Sequence, residues 1–148
     1  MSYAYEQAPA PARAGELGKG NLASAKTTAE KVTGKVKAGE FVALNPTGGV
    51  KALSAKKDIL AGVVLSSRIR DEWSEGELVD VMHIGTGDAI WVNIASEKTV
   101  SRGSKVFVLT TGGEGKTGAI QGETDTNAIE TSYTVIDVKG QLAMITKL

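Results

Sequence analysis

Four groups of residues in this 148-residue chain have the types and spacing that chemistry could use. The run Thr110-Thr111-Gly112-Gly113-Glu114-Gly115-Lys116-Thr117 follows an apolar stretch and ends in Gly-Lys-Thr, the ending of a phosphate-cradling loop. That motif needs a glycine where Thr110 stands, and a helix whose N-terminal amides face the anion. Gly118-Ala119-Ile120-Gln121-Gly122-Glu123 is a poor helix start, so the segment reads as a flexible hairpin loop. Glu123, Asp125 and Asn127 alternate oxygen ligands as a calcium loop does, but Ala128 replaces the required glycine and Thr134 the closing glutamate. A solvated loop is expected there.

His83 is the only histidine, so a metal site built from several imidazoles cannot form within one subunit, and a Ser-His-Asp relay would depend on this one residue. Alternation places it in register with Val79 and Val81, which predicts a partly buried, hydrogen-bonded strand position. Asp71, Glu72, Glu75, Glu77 and Asp80 surround Trp73, and a glycosidase uses such a carboxylate pair. Their spacing points to exposed loop carboxylates instead, with Trp73 either capping the core or presented to a partner. No residue is assigned a catalytic, cofactor-binding or metal-ligating role.

Composition narrows the classes further. Seventeen Lys plus Arg balance seventeen Asp plus Glu, so the basic excess that holds proteins to nucleic-acid backbones is missing. With no cysteine, disulfides and zinc–thiolate sites are excluded. The N-terminus has neither the basic start nor the apolar stretch of a secretory signal, and no apolar run approaches a membrane span, so neither export by that route nor membrane insertion is expected.

The elements that must position these residues are short. From Val36 onward, apolar runs broken by Gly, Asn, Asp and Ser predict strands at 40–44, 61–65, 77–84, 89–94, 105–109, 133–138 and 141–147. Hairpin turns are expected at Pro46-Thr47-Gly48-Gly49, at Gly85-Thr86-Gly87-Asp88 and at Lys139-Gly140. A weak repeat, in which a glycine precedes a strand, recurs at Gly39, Gly76 and Gly103. The expected fold is therefore all-β: a compact antiparallel barrel or sandwich-like domain over 36–148, preceded by an N-terminal arm over 1–35. Ala, Gly and Pro make the first 25 residues read as extended. Leu22, Ala25, Ala29 and Val32 could share the face of a short helix, although Thr27, Thr28, Val32 and Thr33 weaken that reading. Arg13, Lys19, Lys26, Lys31, Lys35 and Lys37 outnumber Glu16 and Glu30, which makes this first part basic.

The order of four segments, Val36 to Leu44, Gly49 to Ala52, Ile59 to Leu65 and Glu75 to Val81, resembles tailed-bacteriophage capsid cement (head decoration) proteins, over about residues 36 to 109. The resemblance implies a small, non-enzymatic β protein without cofactors. Such a protein binds the outer surface of the major capsid protein lattice in the virion, often as a homotrimer, and stabilises the head by bridging capsomers. Synthesis in the host bacterial cytoplasm follows from the same resemblance. It makes the arm residues Tyr3, Tyr5, Pro9, Pro11, Arg13 and Lys19 candidates for capsid binding, and Trp73 and Trp91 candidates for an interface.

Two other classes compete. A carbohydrate-binding or host-adhesion module would use Trp73 and Trp91 as stacking platforms; Trp91 shares a strand face with Asn93, opposite Ile90, Val92 and Ile94. A lipoyl-type carrier would need a modified lysine at a hairpin tip, and Lys139-Gly140 lacks the flanking pattern.

Overall fold

A computed structural model describes residues 13–17, 26–67 and 69–148, and among them every regular element is a strand. In chain order these are β1 (Lys26–Thr33), β2 (Val36–Lys37), β3 (Phe41–Leu44), β4 (Val50–Ala52), β5 (Leu60–Val64), β6 (Glu72–Trp73), β7 (Leu78–His83), β8 (Ala89–Asn93), β9 (Lys105–Leu109), β10 (Ile120–Gln121), β11 (Ala128–Lys139) and β12 (Leu142–Lys147). The all-β expectation holds, and the barrel is literal: β1-β4-β3-β5-β7 close on themselves. A five-stranded sheet, β10-β9-β11-β12-β8, and the small pair β2-β6 complete the fold. Not every neighbour is antiparallel, since β1 and β4 run parallel.

Alternation along the strands builds two cores. Val32, Val42, Val50, Val64, Val79 and Val81, from all five barrel strands, fill the barrel interior. Trp73 closes it through the β2-β6 pair, in which Val36 faces Trp73. The alternate residues Phe41, Ala43, Val63 and Met82 point outward and meet Ile90, Val92, Val106, Val108, Ile120, Val135 and Ile145 of the second sheet. Valine and isoleucine suit both layers because their branched side chains pack on a pleated surface. The three repeated glycines share one conformation, with φ of 82° at Gly39, 87° at Gly76 and 93° at Gly103, and each turns the chain two residues before a strand begins. That region favours glycine, so the repeat reports a turn requirement.

Four local expectations change. Residues 26–33, read as arm or short helix, are β1 of the barrel, paired with β7 from Lys26↔His83 to Lys31↔Leu78. Their β-branched residues outweigh the helical spacing. The tight turn at Gly85 to Asp88 exists, with Asp88 N–H donating to Gly85 O at 3.1 Å, but it carries the chain from the barrel to the second sheet instead of closing a hairpin. Gly87 N–H donates to Lys147 O at 2.9 Å, which diverts the following strand toward β12. β11 begins at Ala128, before the expected Tyr133, because its first residues pair with β9 ahead of an irregularity between Glu130 and Thr134. The 110–117 run does join the antiparallel β9 and β10, but it is tied down: Ser96 N–H donates to Gly115 O at 2.9 Å, and Lys37 pairs with Glu114.

Candidate functional site

The arm residues divide in two. Tyr3, Tyr5, Pro9, Pro11 and Lys19 lie outside the described residues. Arg13 is described, and its guanidinium donates to Ser67 O at 2.7 Å, so its side chain is engaged within the chain. The residues after it form a strap along β8, the edge strand of the second sheet. Gly15 N–H donates to Trp91 O at 2.7 Å, Trp91 N–H to Glu16 O at 2.9 Å, and Ser66 N–H to Gly15 O at 3.1 Å. Leu17 bridges to Ile90 and packs on the core between the sheets. The strap therefore fastens the β8 edge to the segment that leaves barrel strand β5. Sequence reasoning placed these residues in the arm and missed their hydrogen bonds, because a strand of three or four residues leaves no period to read.

Neither tryptophan offers a platform. Trp73 is 6 % exposed and Trp91 7 %. Arg70 lies 5.8 Å from the centre of the Trp73 ring, and Lys139 lies 5.8 Å from that of Trp91. Trp73 caps the barrel core, one of the two roles expected for it. Trp91 packs with Ala89 and Met144 on the face opposite Ile90 and Val92. Of the carboxylates around Trp73, Glu77 takes a two-pronged grip from Arg70, at 2.5 and 2.6 Å, and Glu72 pairs with Lys35 at 2.6 Å.

His83 serves the barrel. In the register of β3 with β5, Val42 faces Gly62 while Ala43 faces Leu60, so Ala61 is an extra residue in a bulge. His83 Nδ1 lies 2.8 Å from Ala61 O, and because a carbonyl only accepts, Nδ1 carries the proton and donates. Nε2 lies 2.9 Å from the Thr28 hydroxyl oxygen, from which the neutral ring accepts. One imidazole thus spans β5, β7 and β1 and satisfies the bulge. His83→Ala should lower stability by about 1–3 kcal/mol, the cost of an orphaned carbonyl, and leave binding to partners unchanged. Urea unfolding of the variant measures the first, and loss of binding at unchanged stability would contradict the second.

Where the 110–118 loop meets the barrel, Lys35, Val36, Lys37, Glu40, Phe41, Leu53 and Glu114 line a cleft of about 280 Å³. Sequence reasoning missed this cleft, since its walls come from distant segments. Burial pushes the Glu40 carboxyl above its ordinary 4.5, opposed by the Lys37 N–H that it accepts at 2.9 Å. A carboxyl raised on folding contributes most stability while protonated, and that contribution is lost as pH rises past 4.5 through the folded-state value. Glu77 runs the other way: Arg70 and the Ser74 N–H hold it at about 2, so its contribution is present above 4.5 and lost as pH falls toward 2. Glu40→Gln keeps the acceptor without the charge. Its stability should equal or exceed the parent's at pH 7 and vary less between mildly acidic and neutral pH, as thermal midpoints across pH would show. A lower midpoint at pH 7 would mean that the carboxylate is the stabilising form.

Three comparisons bear on this arrangement. A family model described as XM1 gp53 minor capsid protein matches residues 3–147. Among solved structures, a chain of "The capsid of Myoviridae Phage XM1" superposes with a TM-score of 0.77 at 16 % identity, covering 99 % of this chain and 98 % of that one. At that identity the likeness is one of fold. No curated protein matches the chain.

Proposed function

The chain belongs to the XM1 gp53 minor capsid protein family, and from that premise we propose that it is a decoration protein which binds the outer surface of the major capsid protein lattice and stabilises the head by bridging capsomers. The family match over residues 3–147 is the observation that carries this reading. A closed barrel braced by a second sheet is a stiff platform, and its catalytic decoys have structural occupations: His83 satisfies a bulge, and Glu77 and Glu72 are paired with cations. A protein that binds the closed lattice better than its free subunits stabilises the lattice by mass action. Association as a trimer would let modest contacts reinforce one another through effective concentration.

In this reading residues 1–12, with Tyr3, Tyr5, Pro9 and Pro11, reach the neighbouring capsid protein, and the strap at 13–17 is their anchor. Lys19 adds positive charge beyond it. The glycan-binding alternative loses the feature that recommended it, because both tryptophans are covered by the chain's own side chains.

The test mixes the purified protein with expanded and unexpanded shells and compares what sediments. Preferential occupancy of expanded shells is expected, and a variant lacking residues 1–12 should keep its fold but occupy fewer sites. Equal indifference to both shells would end the decoration reading. Undiminished occupancy by the shortened variant would remove the arm from it.

A further inference from the structure

The two sequence motifs that no role has absorbed come together in space. The 110–117 loop and the Glu123-Asp125-Asn127 turn meet at one end of the second sheet, where Thr110 N–H donates to Asn127 O at 2.8 Å. With the loop after β8 they enclose a cleft of about 260 Å³, lined by Ser96, Lys98, Thr111, Lys116, Gln121, Asp125 and Asn127 among others. Three connections converging at one end of a rigid sheet is a common construction for a binding site.

Gln121 is the informative member. It is 3 % exposed, and its side-chain nitrogen donates to Glu123 O at 2.8 Å. That carbonyl can only accept, so the orientation of the amide is fixed. Gln121 Oε1 is then a buried acceptor without a hydrogen-bond partner among the described residues. Buried acceptors are seldom left so. Lys116 is guided as well: a Cβ on Gly112 would lie 2.8 Å from Lys116 Cβ and 3.0 Å from its Cδ, so the bare glycine lets the lysine stem cross it. Asp125 spends Oδ1 on its own turn, accepting from Asn127 N–H at 3.0 Å. Two lysines against one aspartate leave the cleft cationic.

The ligand must offer a negative group to the lysines and an N–H or O–H to Gln121. A sulfate or a phosphate monoester dianion offers only acceptors. A sugar acid offers both, but sugars lean on aromatic faces and none lines this cleft. A peptide with an aspartate or glutamate supplies a carboxylate and a backbone N–H a few ångströms apart. We propose that this cleft binds an acidic peptide segment of a partner protein, with Lys98 and Lys116 taking the carboxylate and Gln121 Oε1 accepting a backbone N–H beside it. The proposal goes beyond attachment to shells and is tested without them.

The full chain, labelled for NMR, is titrated with a blocked peptide of alternating aspartate and glycine. Parallel titrations use the same peptide with asparagine for aspartate, sodium acetate, and an oligomer of glucuronic acid. Saturable shifts of the Gln121 side-chain amide and of the Thr111 and Lys116 backbone amides are expected with the acidic peptide. Lys98→Gln and Lys116→Gln should each weaken it about tenfold, as loss of one charge-assisted bond does. Gln121→Glu keeps the shape and should repel the peptide, and unchanged shifts elsewhere report an intact fold for each variant. Acetate acting as well as the peptide would mean an adventitious ion only. Binding of glucuronate alone, equal binding of the asparagine peptide, or no shift at all would each overturn the proposal.

Discussion

Gly62→Ala should destabilise the protein by roughly 3 kcal/mol, a large loss for one added methyl group. Gly62 lies where β5 is bulged against β3 and pressed against β7, and a Cβ there would fall within 3.0 Å of the Met82 carbonyl oxygen and of Val81 Cγ1. Its φ is outside the glycine-favouring region, so crowding alone is at work. Neither neighbour can yield cheaply, since Met82 and Val81 are fully buried and their strand is held on both sides, by β1 and β5. Gly76→Ala is the control. Gly76 has φ of 87° and open space around it, so alanine meets conformational strain only, about 1–2 kcal/mol. The measurement is the urea midpoint of both variants at unchanged m-value. A Gly62→Ala midpoint no lower than that of Gly76→Ala would show that the barrel breathes enough to admit the methyl.

The second large effect concerns the strap. Deleting residues 1–25 on the expectation that all of them are arm would also remove the partners of Trp91 N–H, Trp91 O and Ser66 N–H, along with the packing of Leu17. Three backbone bonds at about 1 kcal/mol each predict a loss of roughly 3 kcal/mol, which is a fall of about 6–12 °C in thermal midpoint for a chain of this size. The uncovered β8 edge should also promote association in the sample, as unpaired strand edges do. Deleting residues 1–12 should leave the midpoint in place. If both deletions melt together with the parent, the strap contributes nothing to stability, and only its role as an anchor is left.

The strands that the sequence announced are those whose two faces carry different burdens. β7 alternates exposed Leu78 and Asp80 with buried Val79 and Val81, and such a pattern is visible without knowing the partner strand. β9 is an apolar run between Gly103 and Gly112, and β12 is one that follows the Lys139-Gly140 turn, so both are legible from their glycines. β1 was hidden because its pairing with β7 joins Lys26 to His83, and nothing local in residues 26–33 records a neighbour so far along the chain. The turn at Gly85 was recognised by its composition, while its destination was not, because turn chemistry is local and sheet membership is not. The cleft around Gln121 shows the same limit. Both of its motifs stood out singly, but their union depends on the hydrogen bonds between Thr110 and Asn127, and Gln121 itself carries no mark in the sequence.

The order of strands also fixes a timetable for synthesis. All five barrel strands lie between Lys26 and His83, so the ring can close once that much of the chain has left the ribosome, although its first and last strands must find each other across the whole interval. The outward residues Phe41, Ala43, Val63 and Met82 then wait for β8 to β12, which end at Lys147. At about 5–20 residues per second that wait lasts several seconds, during which the nascent chain shows water an apolar face that the finished protein hides. Translation speed therefore sets the length of the period in which the chain is most exposed to aggregation, and slower elongation lengthens it.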